Sequence, residues 1–396
     1  MPMLSYLTLY VDRLLSMRFV SAFLFFGLVL IFASCGEPGA DPAFRAEGKA
    51  EAMPVHHSEG LRIEKTRDGF LVEVRNPRDT AEIYGTYRLS RTKKSSAGGD
   101  ETVIRIPVQR AALNSTTFVP FFEKIDAHGV ITGVSYASRV TNERVKAQID
   151  AGETLEIAGG DGIDTERLLM SAPDVLMAYM YNASDFSKIE DLGIPVIMNM
   201  EYAESTPLGR AEWVKLAGCL IDRYDDAEEL FEVISRTYGN LHDLAREADY
   251  YPVVFSGSKY ESKWFTPGNR SFVAQYIRDA GARYAFQHVD GQSNVELDFE
   301  SVLSTLVKAD FWGLIVSDNN EFKLSSLIRM EPQYALFNSF KKGQVFVCNT
   351  AKSDYFGDAV LEPHIVLSDL IGILHPDLLP GHDFTYFRPV VVDVTS

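Results

Sequence analysis

From residue 103 onward, short apolar runs alternate with helical stretches, and one helical pattern far longer than the rest interrupts the alternation. Val103-Ile-Arg-Ile-Pro-Val, Ile131-Thr-Gly-Val-Ser, Val175-Leu-Met-Ala-Tyr and Pro195-Val-Ile-Met-Asn read as strands, with Thr116 to Ala127 helical between the first two. Beyond the long pattern, Val253-Val-Phe-Ser, Phe311-Trp-Gly-Leu-Ile-Val-Ser and Gln344-Val-Phe-Val-Cys read as strands, and 272–280, 298–308 and 364–374 as helices. Short buried strands separated by helices require parallel sheets with right-handed crossovers. The long pattern, 211–248, carries Trp213, Leu216, Leu220, Leu230, Ile234, Tyr238, Leu241 and Leu244 without a proline, and Asp225-Asp226 is its candidate break. A helix of about 30 residues spans roughly 45–50 Å at 1.5 Å per residue, enough to bridge two lobes.

A chain of 396 residues has room for two domains. Its 38 basic and 55 acidic residues give a net charge of −17. That excess of acid excludes general nucleic-acid binding, which displaces counterions with a basic footprint. It also excludes attachment to anionic lipid through a basic patch. Three cysteines cannot build a disulfide framework. Cys219 and Cys348 each sit in apolar surroundings, where buried free thiols are expected.

The front of the chain is different. Phe19 to Ala33 is almost continuously apolar, Arg13 and Arg18 precede it, and Ala33-Ser34 leads into Cys35. Basic flank, apolar run and small-residue exit make a secretory signal, and the run is short for a membrane span. Phe32-Ala33-Ser34-Cys35 resembles the lipobox of bacterial lipoproteins, which implies cleavage before Cys35 and acylation of its thiol. Removal of residues 1–34 takes out Arg13, Arg18 and Asp12 and leaves −18. From Cys35 to about His57 the chain has no periodicity and reads as a flexible tether.

Residues 61–90 alternate apolar and polar around the turn signals Asp68-Gly69 and Asn76-Pro77, and Lys93 to Asp100 reads as a loop, which predicts a small antiparallel β element over 58–100. The two larger halves share a local signature. Asp164-Thr-Glu-Arg-Leu-Leu opens a helix that leads into Val175-Leu-Met-Ala, and Asp298-Phe-Glu-Ser-Val-Leu opens one that leads into Phe311-Trp-Gly-Leu. Each aspartate is placed to cap its helix and each glutamate falls in the first turn. Glu166 and Glu300 therefore either complement their helix dipoles or offer one carboxylate at a matching place on each lobe, suited to gripping a symmetric partner.

Two α/β lobes joined by one long helix behind a lipobox resemble the substrate-binding proteins of bacterial ABC importers, in the helical-backbone branch that takes up ferric siderophores, haem and cobalamin. The resemblance covers roughly 103–390. It is carried by Gly162-Ile-Asp-Thr-Glu-Arg-Leu-Leu-Met-Ser-Ala-Pro-Asp-Val-Leu-Met-Ala, Leu192-Gly-Ile-Pro-Val-Ile-Met, Asp279-Ala-Gly-Ala-Arg-Tyr and Phe299-Glu-Ser-Val-Leu. The β element resembles additions in Bacteroidetes members. The resemblance implies two Rossmann-like lobes with mostly parallel sheets. It divides the chain into a signal peptide (1–34), a tether (35–57), the β element (58–100), an N-terminal lobe (101–210), a linking helix (211–248) and a C-terminal lobe (249–396). It further implies a monomer on the periplasmic side of the envelope, lipid-anchored through Cys35. This monomer would dock through Glu166 and Glu300 onto an ABC permease dimer in the inner membrane.

The chain shows no Gly-x-Gly-x-x-Gly after a strand, no Gly-Lys-Ser/Thr loop, no His-Glu-x-x-His, no Cys-x-x-Cys and no Gly-x-Ser-x-Gly. No catalytic residue, metal ligand or cofactor is assigned on these grounds, and a binder is expected. In such folds ligands sit at loops after the strand C-termini. Those loops supply Tyr136, Tyr179, Tyr181 and Tyr202 in the first lobe and Trp264 and Arg270 in the second. Aromatic walls suit a flat conjugated ligand, and Arg270 suits a carboxylate or catecholate oxygen. The linking helix implies limited closure and a largely preformed cleft. The alternatives are a lipoprotein that hands on or stores ligand without a permease, and a tetrapyrrole- or chelate-processing enzyme.

Overall fold

The computed structural model describes residues 50–97, 101–159, 162–180 and 185–393. The signal peptide, Cys35, most of the tether, and Tyr181 lie outside the described residues. Among the described residues, no helix is long and apolar enough to cross a membrane.

The first five strands, β1 Glu51–Ala52, β2 Leu61–Thr66, β3 Gly69–Asn76, β4 Asp79–Ser90 and β5 Thr102–Arg105, form one sheet in that order. It is antiparallel except for β5, which runs parallel to β4. Residues 103–105, read from sequence as the opening strand of the first lobe, thus belong to the added β element. Alternating Val103-Ile-Arg fits either sheet, and nothing local decides between them. Residues 51–57 also depart from the tether expectation. Glu51–Ala52 pairs with β2, and the Met53 N–H donates to Ile63 O at 2.9 Å.

The N-terminal lobe follows with β6 Ala111–Leu113, α1 Val119–Glu123, β7 Ile131–Val134, α2 Glu143–Asp150, β8 Leu155–Glu156, a ribbon of β9 Ala158–Gly159 and β10 Gly162–Ile163, α3 Thr165–Ser171, β11 Val175–Ala178, α4 Ser187–Glu190 and β12 Val196–Met198. Its sheet is parallel, in the order β12-β11-β6-β7-β8. Side-chain caps start the helices: Asn142 accepts from Arg144 N and Val145 N at 3.1 Å each, and Asp164 from Glu166 N and Arg167 N at 3.0 and 3.1 Å.

The long helical pattern folds as three helices, α5 Pro207–Glu212, α6 Val214–Leu220 and α7 Tyr224–Ala245. The break falls at Ile221–Arg223, where Asp222 takes a left-handed φ of 58°, just before the Asp225-Asp226 pair. Of the expected rod, α7 keeps 22 residues, about 33 Å of helix.

The C-terminal lobe holds β13 Val253–Ser256, β14 Ser258–Tyr260, β15 Lys263–Pro267, α8 Phe272–Asp279, β16 Arg283–Tyr284, β17 Asn294–Asp298, α9 Phe299–Leu306, β18 Phe311–Val316, α10 Leu324–Met330, α11 Asn338–Lys341, β19 Val345–Asn349, α12 Pro363–Leu374 and β20 Phe387–Pro389. The main sheet runs β16-β13-β18-β19-β20 and is parallel apart from β20. A separate antiparallel ribbon, β14-β15-β17, was not anticipated.

The lobes repeat one topology. In each, the first strand (β6 or β13) has β7 or β16 on one side and β11 or β18 on the other, with β12 or β19 beyond. The strand order therefore reverses beside β6 and beside β13, and the carboxyl ends there are where α/β folds take ligands. One hydrophobic core serves the added sheet, the N-terminal lobe and most of the connector. A second serves the C-terminal lobe.

Candidate functional site

The reversal point of the N-terminal lobe is bound together by Asn114, whose Oδ1 accepts the Tyr179 N–H at 3.0 Å. This contact joins the loop after β6 to the loop after β11. A row of rings follows, with Tyr179 and Tyr202 half-buried and Phe118 buried. Tyr179 lies edge-on to Phe118 with centroids 6.5 Å apart and edge-on to Tyr202 at 5.9 Å. Tyr202 Oη donates to Met180 O at 2.5 Å. Burial raises the Tyr202 pKa, with Arg78 acting against it and Glu201 and Tyr179 with it, so the phenol stays protonated. After β7, Tyr136 is 45% exposed in a left-handed conformation, and the Arg139 guanidinium sits 4.8 Å from its ring centroid. Arg139 has no ion-pair partner among the described residues.

The C-terminal lobe treats its expected residues differently. Trp264 is 0% exposed. It packs against Phe255, Phe299, Trp312, Tyr334 and Phe337, and its Nε1–H donates to Ser256 O at 3.1 Å. It is a core residue of the β14-β15-β17 ribbon, turned inward by strand alternation. Arg270 is exposed and already paired with Asp290 at 2.8 and 2.9 Å. It therefore cannot act as a free cation without giving up that pair.

Where the lobes meet, Thr141 Oγ1 donates to Asp354 at 2.5 Å and Lys124 Nζ to Glu362 at 2.9 Å, with Asp358 3.9 Å from the same amine. The crevice lined by Thr116, Arg139, Asn142, Asp354 and Asp358 measures about 10 Å³. A second cavity, wholly within the C-terminal lobe under Tyr276 and Tyr355, measures about 20 Å³. Either volume is on the scale of one water. Polar contacts bridge the lobes along this part of the seam, where the sequence predicts a preformed cleft.

The seam carries a titration. Burial raises Asp358 to about 6, opposed by Lys124 and reinforced by Asp354, Glu362 and Glu123, from an ordinary value of 3.8. Between those values the folded chain holds more protons than the unfolded one, so this group's contribution to stability is lost as pH rises through that window. Asp358→Asn is therefore expected to be more stable than the parent at pH 7, with the gap closing by pH 4, in urea unfolding followed by fluorescence. A gap that widens toward acid would contradict this.

Glu166 and Glu300 occupy the second positions of α3 and α9, and both are exposed. Neither has an ion-pair partner among the described residues. The Asp298 carboxylate accepts from Ser301 N and Oγ at 2.9 Å each, and those bonds lower its pKa. A crossover helix runs antiparallel to the strands it joins. The N-termini of α3 and α9, with their glutamates, thus lie on the strand-end side of their lobes.

The sequence reading missed a buried charge cluster on the connector. Lys215, 0% exposed, donates to Glu212 at 2.8 Å and Pro54 O at 2.7 Å and meets Glu228 at 2.8 Å. Glu212 accepts the N–H groups of His56, His57 and Ser58, and Glu204 accepts Ser58 Oγ, Glu59 N, Gly60 N and Trp213 Nε1. Burial works against the Glu212 charge, but Lys215 and those amides outweigh it and lower its pKa. Residues 54–60 are thereby strapped across α5–α7. Gly209 makes room for them, since a Cβ there would lie 2.9 Å from His57 O. The available signal was Lys215 standing alone in Val214-Lys-Leu-Ala-Gly-Cys-Leu, a charge that an apolar helix face tolerates only with partners. Cys219 and Cys348 are both buried and free. No group of His, Cys, Asp and Glu among the described residues could hold a metal ion.

Two α/β lobes of one repeated strand order define a bilobal fold. The chain belongs to the periplasmic binding protein family, whose model matches residues 115–351. It is 26% identical over 307 residues to an uncharacterized lipoprotein of Methanocaldococcus jannaschii, covering 74% of this chain and 72% of that one. A second uncharacterized lipoprotein of that organism is 23% identical over 391 residues, covering 92% of this chain and 97% of that one. Among solved structures, the fold resembles a periplasmic heme binding protein from Pseudomonas aeruginosa, with a TM-score of 0.56, 13% identity, and coverage of 73% of this chain and 100% of that one. It also resembles an ABC-type Fe3+-hydroxamate transport protein from Saccharomonospora viridis, with a TM-score of 0.52, 16% identity, and coverage of 68% and 94%.

Proposed function

We propose that this protein is the lipid-anchored substrate-binding component of an ABC importer for a ferric siderophore, haem or cobamide. It takes its ligand at the strand-end face between the lobes, carries it unchanged, and docks on a permease dimer through Glu166 and Glu300. The supporting observation is the pair of capped, exposed glutamates at equivalent places in two lobes of a periplasmic binding protein. The heme and Fe3+-hydroxamate descriptions of two structural neighbours favour an iron chelate or tetrapyrrole, and the lipoprotein relatives favour an anchor at Cys35.

The test is the visible spectrum of purified protein titrated with haemin, cyanocobalamin, a ferric hydroxamate and a ferric catecholate. One probe is expected to bind one-to-one and to be recovered unaltered. Chemical conversion of a bound probe, or binding of none, would overturn the reading.

A further inference from the structure

The two reversal points are finished differently. After β6, Asn114 ties two loops together. After β13, three hydroxyls are left over. Ser256, the last residue of β13, Tyr276 of α8 and Tyr355 of the loop after β19 all line the cavity of about 20 Å³ in the C-terminal lobe. These residues are 9%, 6% and 5% exposed, and none of their hydroxyls has a hydrogen-bond partner among the described residues. None is sealed away, since each oxygen keeps contact with open space. A nearly buried hydroxyl normally finds a partner, because it has otherwise given up most of its water for nothing.

The cavity stands on the side of its lobe that meets the N-terminal lobe. Tyr355 follows Asp354, which accepts the Thr141 hydroxyl across the seam. Tyr276 is joined to the ring row of the other lobe by a short relay of contacts. Glu201, next to Tyr202, pairs with Arg210 of α5 at 2.8 Å. The Arg210 guanidinium sits 4.4 Å from the Phe272 ring centroid, and Phe272 lies edge-on to Tyr276 at 6.3 Å.

The lining selects its guest. No charged side chain lines the cavity, and its other walls are apolar, with Ile315, Phe346 and Leu370 among them. Arg210 is committed to Glu201. Burial raises the pKa of both phenols, so each stays protonated and can donate. A space of this size takes one water-sized group. A carboxylate would enter it without a counter-ion, which is costly. One oxygen of a neutral carbonyl matches both the size and the donors.

We infer that Ser256, Tyr276 and Tyr355 form the C-terminal lobe's ligand subsite and seat the carbonyl oxygen of an amide or hydroxamate arm, the two phenols donating to it. The inference rests on the importer reading and narrows it to chelates that carry such arms.

The test is spectral titration of the wild type, Tyr276→Phe, Tyr355→Phe and the double variant with four probes. Cyanocobalamin and ferrioxamine B carry amide or hydroxamate carbonyls; haemin and tris(catecholato)iron(III) carry neither. Each single change is expected to weaken the carbonyl-bearing probe that binds by roughly five- to tenfold, the scale of one buried hydrogen bond, and the double change by more than either. The urea midpoint should hold or rise, because no protein partner is lost. Any affinity for haemin or the catecholate should be the same in all four proteins. Equal affinity of the wild type and the double variant for the carbonyl-bearing probe would overturn the inference, and so would an equal loss for every probe that binds. Binding of haemin or the catecholate alone would overturn it and leave the importer reading standing, and binding of no probe would end both.

Discussion

Replacing Lys215 by methionine is expected to destabilise the folded chain by about 3–5 kcal/mol, the range for removing one partner of a buried ion pair. The side chain is fully buried and its ammonium has three oxygen partners, on Glu212, Glu228 and Pro54. It also lies 4.7 Å from the Phe231 ring centroid. Methionine fills much of the volume, so the loss is electrostatic rather than a cavity. Glu212 is left charged, buried, and held only by the amides of residues 56–58. Adding Glu212→Gln should recover part of the stability, because a neutral acceptor needs no counter-ion. The urea midpoint reports the first effect. The midpoint of the double variant reports the second, and faster proteolysis within residues 54–60 of Lys215→Met reports the loosened strap, since Pro54 O loses its donor. An unchanged midpoint would show that the cluster is not needed.

The second large effect is functional. Glu166→Lys combined with Glu300→Lys is expected to abolish ligand delivery to the permease while leaving ligand affinity unchanged. Both side chains are exposed, and Asp164 and Asp298 still cap α3 and α9 in the double variant. A lysine in the first turn opposes the helix dipole by less than about 1 kcal/mol, so both lobes should fold. At the interface, each reversal turns an attraction into a like-charge contact worth several kcal/mol, and two distant sites add. Together they exceed a hundredfold loss. Ligand-stimulated ATP hydrolysis by the permease in proteoliposomes measures delivery, and spectral titration measures affinity. Delivery that survives the double change would refute docking through these residues.

Much of this architecture could be read from the chain alone, where the determinants are local. Asp164 and Asp298 cap helices because a carboxylate two or three residues before free N–H groups does so wherever it occurs. The strands of both lobes appear as short apolar runs because parallel strands are buried on both faces. What failed to show depends on distant partners. The strap at 54–60 looks unstructured because its amides bond to Glu204 and Glu212, some 150 residues away. The break before α7 falls two to four residues ahead of the Asp225-Asp226 pair that suggested it, at Ile221–Arg223, where no glycine or proline fixes the position. Trp264 reads equally as a cleft wall or a core residue until the β14-β15-β17 ribbon is known to turn it inward.

The strap also has a mechanical consequence. Residues 54–60 are fastened to the connector, the element about which any jaw movement must pivot, rather than to either ligand-bearing face. A pull arriving along the chain is therefore taken first by the pairing of Glu51–Ala52 with β2 and next, at the connector, by Lys215, Glu212 and Glu204. Under the proposed anchoring, neither strand-end face would carry that load, and both lobes would keep their outer surfaces unencumbered.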